Sequence, residues 1–151
     1  MSAISNIYDA VVARVVAVFP SHTRLSNPYA IEQNPEGFLR QGYGIAIGPC
    51  TNTNRNLCHK VSILRDIIIT ITRQYAAVET DIATKVTAEK LLLEDQIDLI
   101  SDFMNNTTLS ADGGIVSFTN DGGIEQVFPG GRDNFIALKL TFTVEHFEDI
   151  T

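Results

Sequence analysis

Residues 61–75, with the sequence VSILRDIIITITRQY, decide the fold because they form the strongest strand pattern in the chain. Apolar and polar residues alternate there with the two-residue period of a β-strand that buries one face. A shorter strand is predicted at 43–47, ended by Gly48-Pro49, and we expect it to pair with 61–75 as an antiparallel hairpin. The asparagine-rich segment 49–60 between them is predicted to be a long loop or hairpin tip. The apolar face of the long strand is predicted to hold Val61, Ile63, Ile67, Ile69, Ile71 and Tyr75, and the other face Ser62, Asp66, Thr70, Thr72 and Gln74.

A helix is predicted on each side of this hairpin, at 4–19 and at 80–104. Ser2 or Ser5 can cap the first helix, and Thr80 can cap the second. The second helix carries a polar side, with Leu91 exposed among acids. Its core stripe is predicted to be Ile82, Val86, Leu93, Ile97, Ile100 and Met104, flanked by Leu92, Leu99 and Phe103, and the opposite side holds Glu94, Asp95, Asp98 and Asp102.

The C-terminal third of the chain is predicted to be β-structure. Strands at 115–119 and 124–128 flank the turn sequence Asn120-Asp121-Gly122-Gly123, which is typical of a hairpin. A final strand is predicted at 135–147, and 20–41 reads as an irregular surface connection. The sequence therefore predicts one α+β domain over residues 1–151. It has a mixed, mainly antiparallel sheet of about four to five strands, packed with a short N-terminal helix and one long central helix.

Composition narrows the function classes. The 151 residues include 44% hydrophobic and 19% charged ones, which is typical of a folded soluble protein, and no apolar run is long enough to span a membrane. Residues 1–5 lack a secretory signal pattern, so Cys50 and Cys58 are expected to be reduced thiols. The net charge is −7, with four acids and seven bases in 1–75 but seven acids and two bases in each of 76–104 and 105–151. No lysine and arginine cluster is present to hold phosphates.

Motifs for catalysis or metal binding are not found. His59 follows Cys58 and lies near Cys50, but the spacing of these cysteines does not fit a structural zinc site. Nucleophile-elbow, phosphate-loop and zinc-protease motifs are absent from the sequence. We therefore predict no enzyme, no cofactor and no metal. Two contrasting hypotheses stay open: a hydrolase using Cys50, Cys58 and His59, and a ligand-binding module with an apolar pocket.

The order helix, hairpin, long helix, hairpin and final strand resembles the tail terminator (tail completion) proteins of long-tailed bacteriophages. The segments that carry the resemblance are Ile7-Tyr8-Asp9-Ala10-Val11 and Leu138-Lys139-Leu140-Thr141-Phe142-Thr143-Val144. It implies a hexameric ring that caps the tail tube, ends tube polymerisation and joins the tail to the head connector. It also implies assembly in the host cytoplasm, a place in the virion, no membrane and no cofactor, with DNA passing through the channel without specific binding. Another neck or head-completion protein is the alternative.

The ring hypothesis assigns two sets of residues. Exposed apolar and loop residues are expected at contacts with other subunits, the tube protein or the connector. Acids are expected to line a channel that repels DNA. The candidate interface residues are Arg55, Asn56, Leu57, Leu91, Phe128 and Arg132, and the candidate channel residues are Glu94, Asp95, Asp98, Asp102, Asp112 and Asp133.

Overall fold

The chain folds as an α+β protein in which helices pack on a curved sheet. A computed structural model describes residues 2–57, 60–75, 82–111, 113–120, 123–131 and 134–149, without the side chains at 36, 51–57, 82–83 and 119–120. The helices are α1 (Ala3–Val18), α2 (Glu36–Leu39) and α3 (Ile82–Asn105), with 3-10 turns at Ile31–Gln33 and Pro129–Gly131. The strands are β1 (Thr23–Arg24), β2 (Gln41–Leu57), β3 (Lys60–Gln74), β4 (Thr108–Ser110), β5 (Gly113–Asn120), β6 (Glu125–Val127) and β7 (Phe135–Asp149).

The sheet is mixed and centred on β3 and β7. The strand order is β1-β2-β3-β7-β5-β4, and β6 also pairs with β7. The β1–β2 pair is parallel and every other described pair is antiparallel. The predicted hairpin is confirmed, since Ile45 lies opposite Ile69 in β2 and β3. The prediction of four to five strands and two helices was too low, because the sheet has seven strands and α2 is an additional helix.

The loop predicted at 49–60 is instead strand as far as Leu57. β2 continues beside β3 through three register shifts, the first between Ile47 and Cys50. A bulge tolerates Pro49, which has no N–H to donate to the ladder. Backbone pairing with the long apolar β3 therefore outweighs the weak strand propensity of the asparagines.

The predicted pairing of 115–119 with 124–128 is wrong. β5 and β6 both pair with β7, β5 with the stretch from Leu140 to His146 and β6 with the stretch from Phe135 to Ala137. β7 is fifteen residues long, so one of its sides has room for both short strands. The long partner strand, rather than the local turn, sets the register.

The main core lies between the helices and one face of the sheet. Ile67, Ile69 and Ile71 of β3 are fully buried there, as the alternation predicts. Thr70 and Thr72 on the other face are buried as well, because a second apolar cluster containing Leu25, Leu39, Val127, Phe135 and Ala137 covers part of that face. The irregular segment 20–41 thus contributes to a small second core.

α1 begins where the sequence predicts. Ser2 is its N-cap, and its hydroxyl accepts from the Ser5 backbone N–H at 3.4 Å. The Glu148 carboxylate of β7 also accepts from the N–H groups of Ala3 and Ile4, at 3.1 and 2.7 Å. A carboxylate is favourable at this position because the first N–H groups of a helix lack partners and carry partial positive charge. Glu148 therefore ties the start of α1 to the end of β7.

His146 lies next to this carboxylate inside the core. Its side chain is 1% exposed, and Nδ1 donates to Glu148 Oε1 at 3.1 Å. Burial lowers the pKa of His146 from 6.5; Glu148 opposes this shift, and the positive charge of Arg65 adds to it. The uncharged imidazole is therefore the form that the fold favours.

We expect His146 to make the protein less stable in mild acid. Below pH 6.5 the unfolded chain takes up a proton on this residue that the folded chain resists, so the free energy of unfolding falls as the pH is lowered. The slope from this one group is at most about 1.4 kcal/mol per pH unit. Urea unfolding between pH 7.5 and 5 measures it, with His146→Gln as the control variant. If the free energy of unfolding changes with pH equally in the wild type and in the His146→Gln variant, His146 is not the source of the loss of stability in acid.

Candidate assembly surface

Four of the six residues predicted as the core stripe of α3 face solvent, so the prediction is wrong for these four. Ile100 is partly buried against the main core, and the side chain of Ile82 lies outside the described part of the chain. The exposed set, called the α3 stripe below, is Val86 (41% exposed), Leu93 (45%), Ile97 (62%) and Met104 (36%). It runs along one side of the helix for ~27 Å at 1.5 Å per residue. An exposed apolar row of this length indicates a surface that contacts another molecule.

The opposite phase of α3 forms the core. Ala88, Leu92, Leu99 and Phe103, of which only the last three were predicted as flanking residues, pack toward the sheet and are buried. The Phe103 ring meets Phe142 of β7 edge to face, with 4.6 Å between centroids. α3 thus has two apolar rows. The row with Leu92, Leu99 and Phe103 is the buried one, because it packs on β3 and β7.

An acidic edge lies next to the α3 stripe. It consists of Glu94 and Asp98, both exposed; at 100° per residue, Glu94 lies roughly 60–100° around the helix from the stripe residues and Asp98 roughly 100–140°. Asp102 lies further round the helix and forms a salt bridge with Arg14 of α1 at 3.0 Å. Leu91 is exposed among these acids, as predicted. The exposed face of α3 therefore joins an apolar row to a row of carboxylates.

Asp95 does not belong to this edge, which corrects its assignment to a solvated channel lining. It is 7% exposed and lies on the sheet side of α3. Arg73 of β3 donates to both carboxylate oxygens, from Nε and Nη2, each at 3.1 Å. His22 Nε2 lies 3.2 Å from the same carboxylate, and Gln41 Nε2 lies 3.4 Å from His22 Nδ1. These contacts use both nitrogens of the His22 ring, so the cluster serves to join α3, β3 and the segment after α1.

The remaining predicted site residues are spread over the molecule. Phe128 is exposed just after β6. Arg55, Asn56 and Leu57 lie at the end of β2, where the backbone but not the side chains is described. Cys50 is exposed in β2. Predicted residues that lie outside the described ranges are Arg132, Asp112, Asp133, Cys58 and His59.

A basic and aromatic cleft, which the sequence analysis missed, lies between α1 and β2. It has a volume of about 410 Å³, and we call it the Arg24 cleft. Arg24 is exposed and donates from Nη2 to the Tyr8 hydroxyl at 3.1 Å. The side chain of Tyr29 is 76% exposed at the rim. The residues that line the cleft are Tyr8, Arg24, Leu25, Ser26, Pro28, Tyr29 and Ile45.

The rim loop of this cleft is held by hydrogen bonds of the Asn27 and Asn34 side chains. The Asn34 side chain accepts from the Asn27 N–H at 2.8 Å and donates back to the Asn27 carbonyl at 2.8 Å. Asn27 Oδ1 accepts from the N–H groups of Tyr29 and Ala30, both at 3.1 Å. Tyr29 is therefore presented on a fixed backbone, which reduces the entropy that a partner must overcome.

Neither a metal centre nor a membrane helix is found in the described parts of the chain. No group of three or more histidine, cysteine or carboxylate residues there could hold a metal ion. None of the helices in the described ranges combines the length and apolar content that a bilayer crossing needs.

Comparisons with known proteins give no family. No protein-family model matches the sequence, and no curated protein is significantly similar to it.

Proposed function

We propose that the protein is a structural subunit that forms a ring at the end of a bacteriophage tail tube. There it ends tube polymerisation and joins the tail to the head connector. The observation that carries the proposal is the α3 stripe, with Leu93 and Ile97 exposed on a helix whose other side is packed into the core. The resemblance of the element order to tail terminator proteins supplies the biological setting.

Burial of the α3 stripe would supply part of the free energy of a contact between copies. Fully burying an aliphatic side chain contributes about 1.5–3 kcal/mol, and the four residues of the α3 stripe are already about half buried. Their complete burial would therefore contribute roughly 3–6 kcal/mol. Association itself costs about 4–15 kcal/mol, so the stripe offsets that cost only at its lower end. A stable ring needs polar contacts next to the stripe.

The position of the acidic edge changes its predicted role. Glu94 and Asp98 are predicted as channel lining, but Ile97 of the exposed stripe lies three residues after Glu94 and so is its neighbour on the helix surface. Apolar side chains are poorly placed in a water-filled channel. We therefore assign this face to contact between subunits. Repulsion of DNA is then a property of the whole ring, since each copy carries a net charge of −7.

Tube assembly in vitro tests the proposal. Tube protein encoded by the same virus is allowed to polymerise with and without this protein, and tube lengths are measured by electron microscopy. We expect that the protein binds one end of each tube and that elongation stops after it is added. Tubes that elongate equally in both samples would contradict the proposal. Binding to the head connector but not to tubes would place the protein elsewhere in the neck.

A further inference from the structure

We propose that the exposed face of α3 on one copy binds the Arg24 cleft of the next copy. This inference rests on the proposed ring and names the two surfaces that form it. The α3 stripe supplies the apolar part of the contact. Asp98 of the acidic edge meets the Arg24 guanidinium.

The two surfaces are opposite in charge. Asp98 and Glu94 have no ion-pair partner among the described residues, and the same holds for Arg24. Arg14 and Arg73 already pair with Asp102 and Asp95 inside one copy, which leaves 1–75 with one more base than acids and 76–104 with three more acids than bases. Copies that meet through these halves bring opposite charges together, which favours this orientation and speeds encounter.

The two surfaces also match in their apolar content. Tyr29 is exposed at the rim of the cleft, and Tyr8 and Pro28, both partly exposed, supply the other accessible apolar surface of its wall. Aromatic and arginine side chains are the residues that most often anchor protein contacts. An apolar centre with a charged border on each side is the usual anatomy of such an interface.

The surfaces point in different directions, which suits a ring. Arg14 connects α1 to Asp102 of α3, whereas Tyr8, on another side of α1, lines the cleft next to β2. The α3 stripe lies roughly 140–180° around the helix from Asp102, at 100° per residue, and so faces away from α1. One copy therefore cannot join its own stripe to its own cleft. Two different surfaces that meet head to tail generate a closed ring or a filament.

Charge reversal with rescue tests this contact. Asp98→Arg and Arg24→Glu are each expected to weaken self-association about tenfold or more, and the double variant is expected to recover much of the loss. Mass photometry over a dilution series measures the association. Asp149→Arg and Lys60→Glu make the same charge changes at exposed positions near the ends of β7 and β3, outside both surfaces, and serve as controls. Circular dichroism checks that every variant is folded.

The outcomes separate the inference from the proposed function. Recovery in the double variant supports the contact. If the wild type assembles and the charge reversals change nothing, or if the double variant does not recover, this contact is wrong and the ring stands. If the wild type shows no association, alone or on tube ends, both are wrong.

Discussion

Replacing Asp95 with alanine is expected to lower the free energy of unfolding by about 3–5 kcal/mol. The carboxylate accepts two hydrogen bonds from Arg73 and lies 3.2 Å from His22 Nε2, at a site where Asp95 is 7% exposed. Alanine would leave the Arg73 guanidinium largely buried without a counter-charge. An unpaired charge in that position costs far more than the lost hydrogen bonds alone.

Urea unfolding measures this effect, and α3 itself provides the control. Asp98→Ala removes an exposed carboxylate from the same helix and is expected to change stability by no more than about 0.5 kcal/mol. Asp95→Asn keeps the shape but removes the charge, so it is expected to fall between the other two. A loss of less than about 1 kcal/mol for Asp95→Ala would mean that the cluster is not buried as described.

Replacing both Leu93 and Ile97 with lysine is expected to abolish assembly and leave the fold intact. Both side chains are substantially exposed in the single copy, so the change should alter its stability little. In a ring, the same change would place two charges at an apolar contact, where desolvation of each costs several kcal/mol. Particle mass in solution measures the loss of assembly.

The matched control replaces Val16 and Val116 with lysine. Both valines are exposed, one on α1 and one on β5, and neither belongs to the α3 stripe. This control variant adds the same charge at other places, so it is expected to assemble as the wild type does. Loss of assembly in the control, or normal assembly of the variant that carries Leu93→Lys and Ile97→Lys, would remove the stripe from the interface.

The sequence predicts the centre of the sheet well. The alternation in 61–75 and 135–147 identifies β3 and β7 because each buries one face under the helices, and that burial fixes the two-residue period. β2 is longer than predicted, since its polar half carries no such period and forms only by pairing with β3. The polar half of β2 therefore depends on its partner strand, which the local sequence pattern does not show.

The candidate site was harder to predict because the sequence does not show which side of α3 is buried. The rows through Leu93 and Ile97 and through Leu92 and Leu99 are both apolar, so helical periodicity alone does not tell which one is buried. The pairing of Asp95 with Arg73 identifies the buried side of α3. Arg73 belongs to β3, so the sequence of α3 alone does not show this pairing. The exposed Leu91 was the one correct sign of an unusual helix surface.

The Arg24 cleft had a weaker signal in the sequence. Residues 20–41 have no periodicity, and the cleft forms only when the Asn27 and Asn34 side chains fold this segment against β2. The charge is uneven along the chain, basic in 1–75 and acidic in 76–104, but this pattern does not show which of the charged residues share a surface. Three-dimensional packing decides that.

Electron microscopy of the purified protein, alone and with tail tubes, tests whether copies of the chain join head to tail through α3. We expect closed rings of one subunit number with a central opening, in which α3 of each subunit lies against its neighbour. Particles containing a single copy at every concentration, both in the absence of tubes and on tube ends, would contradict it.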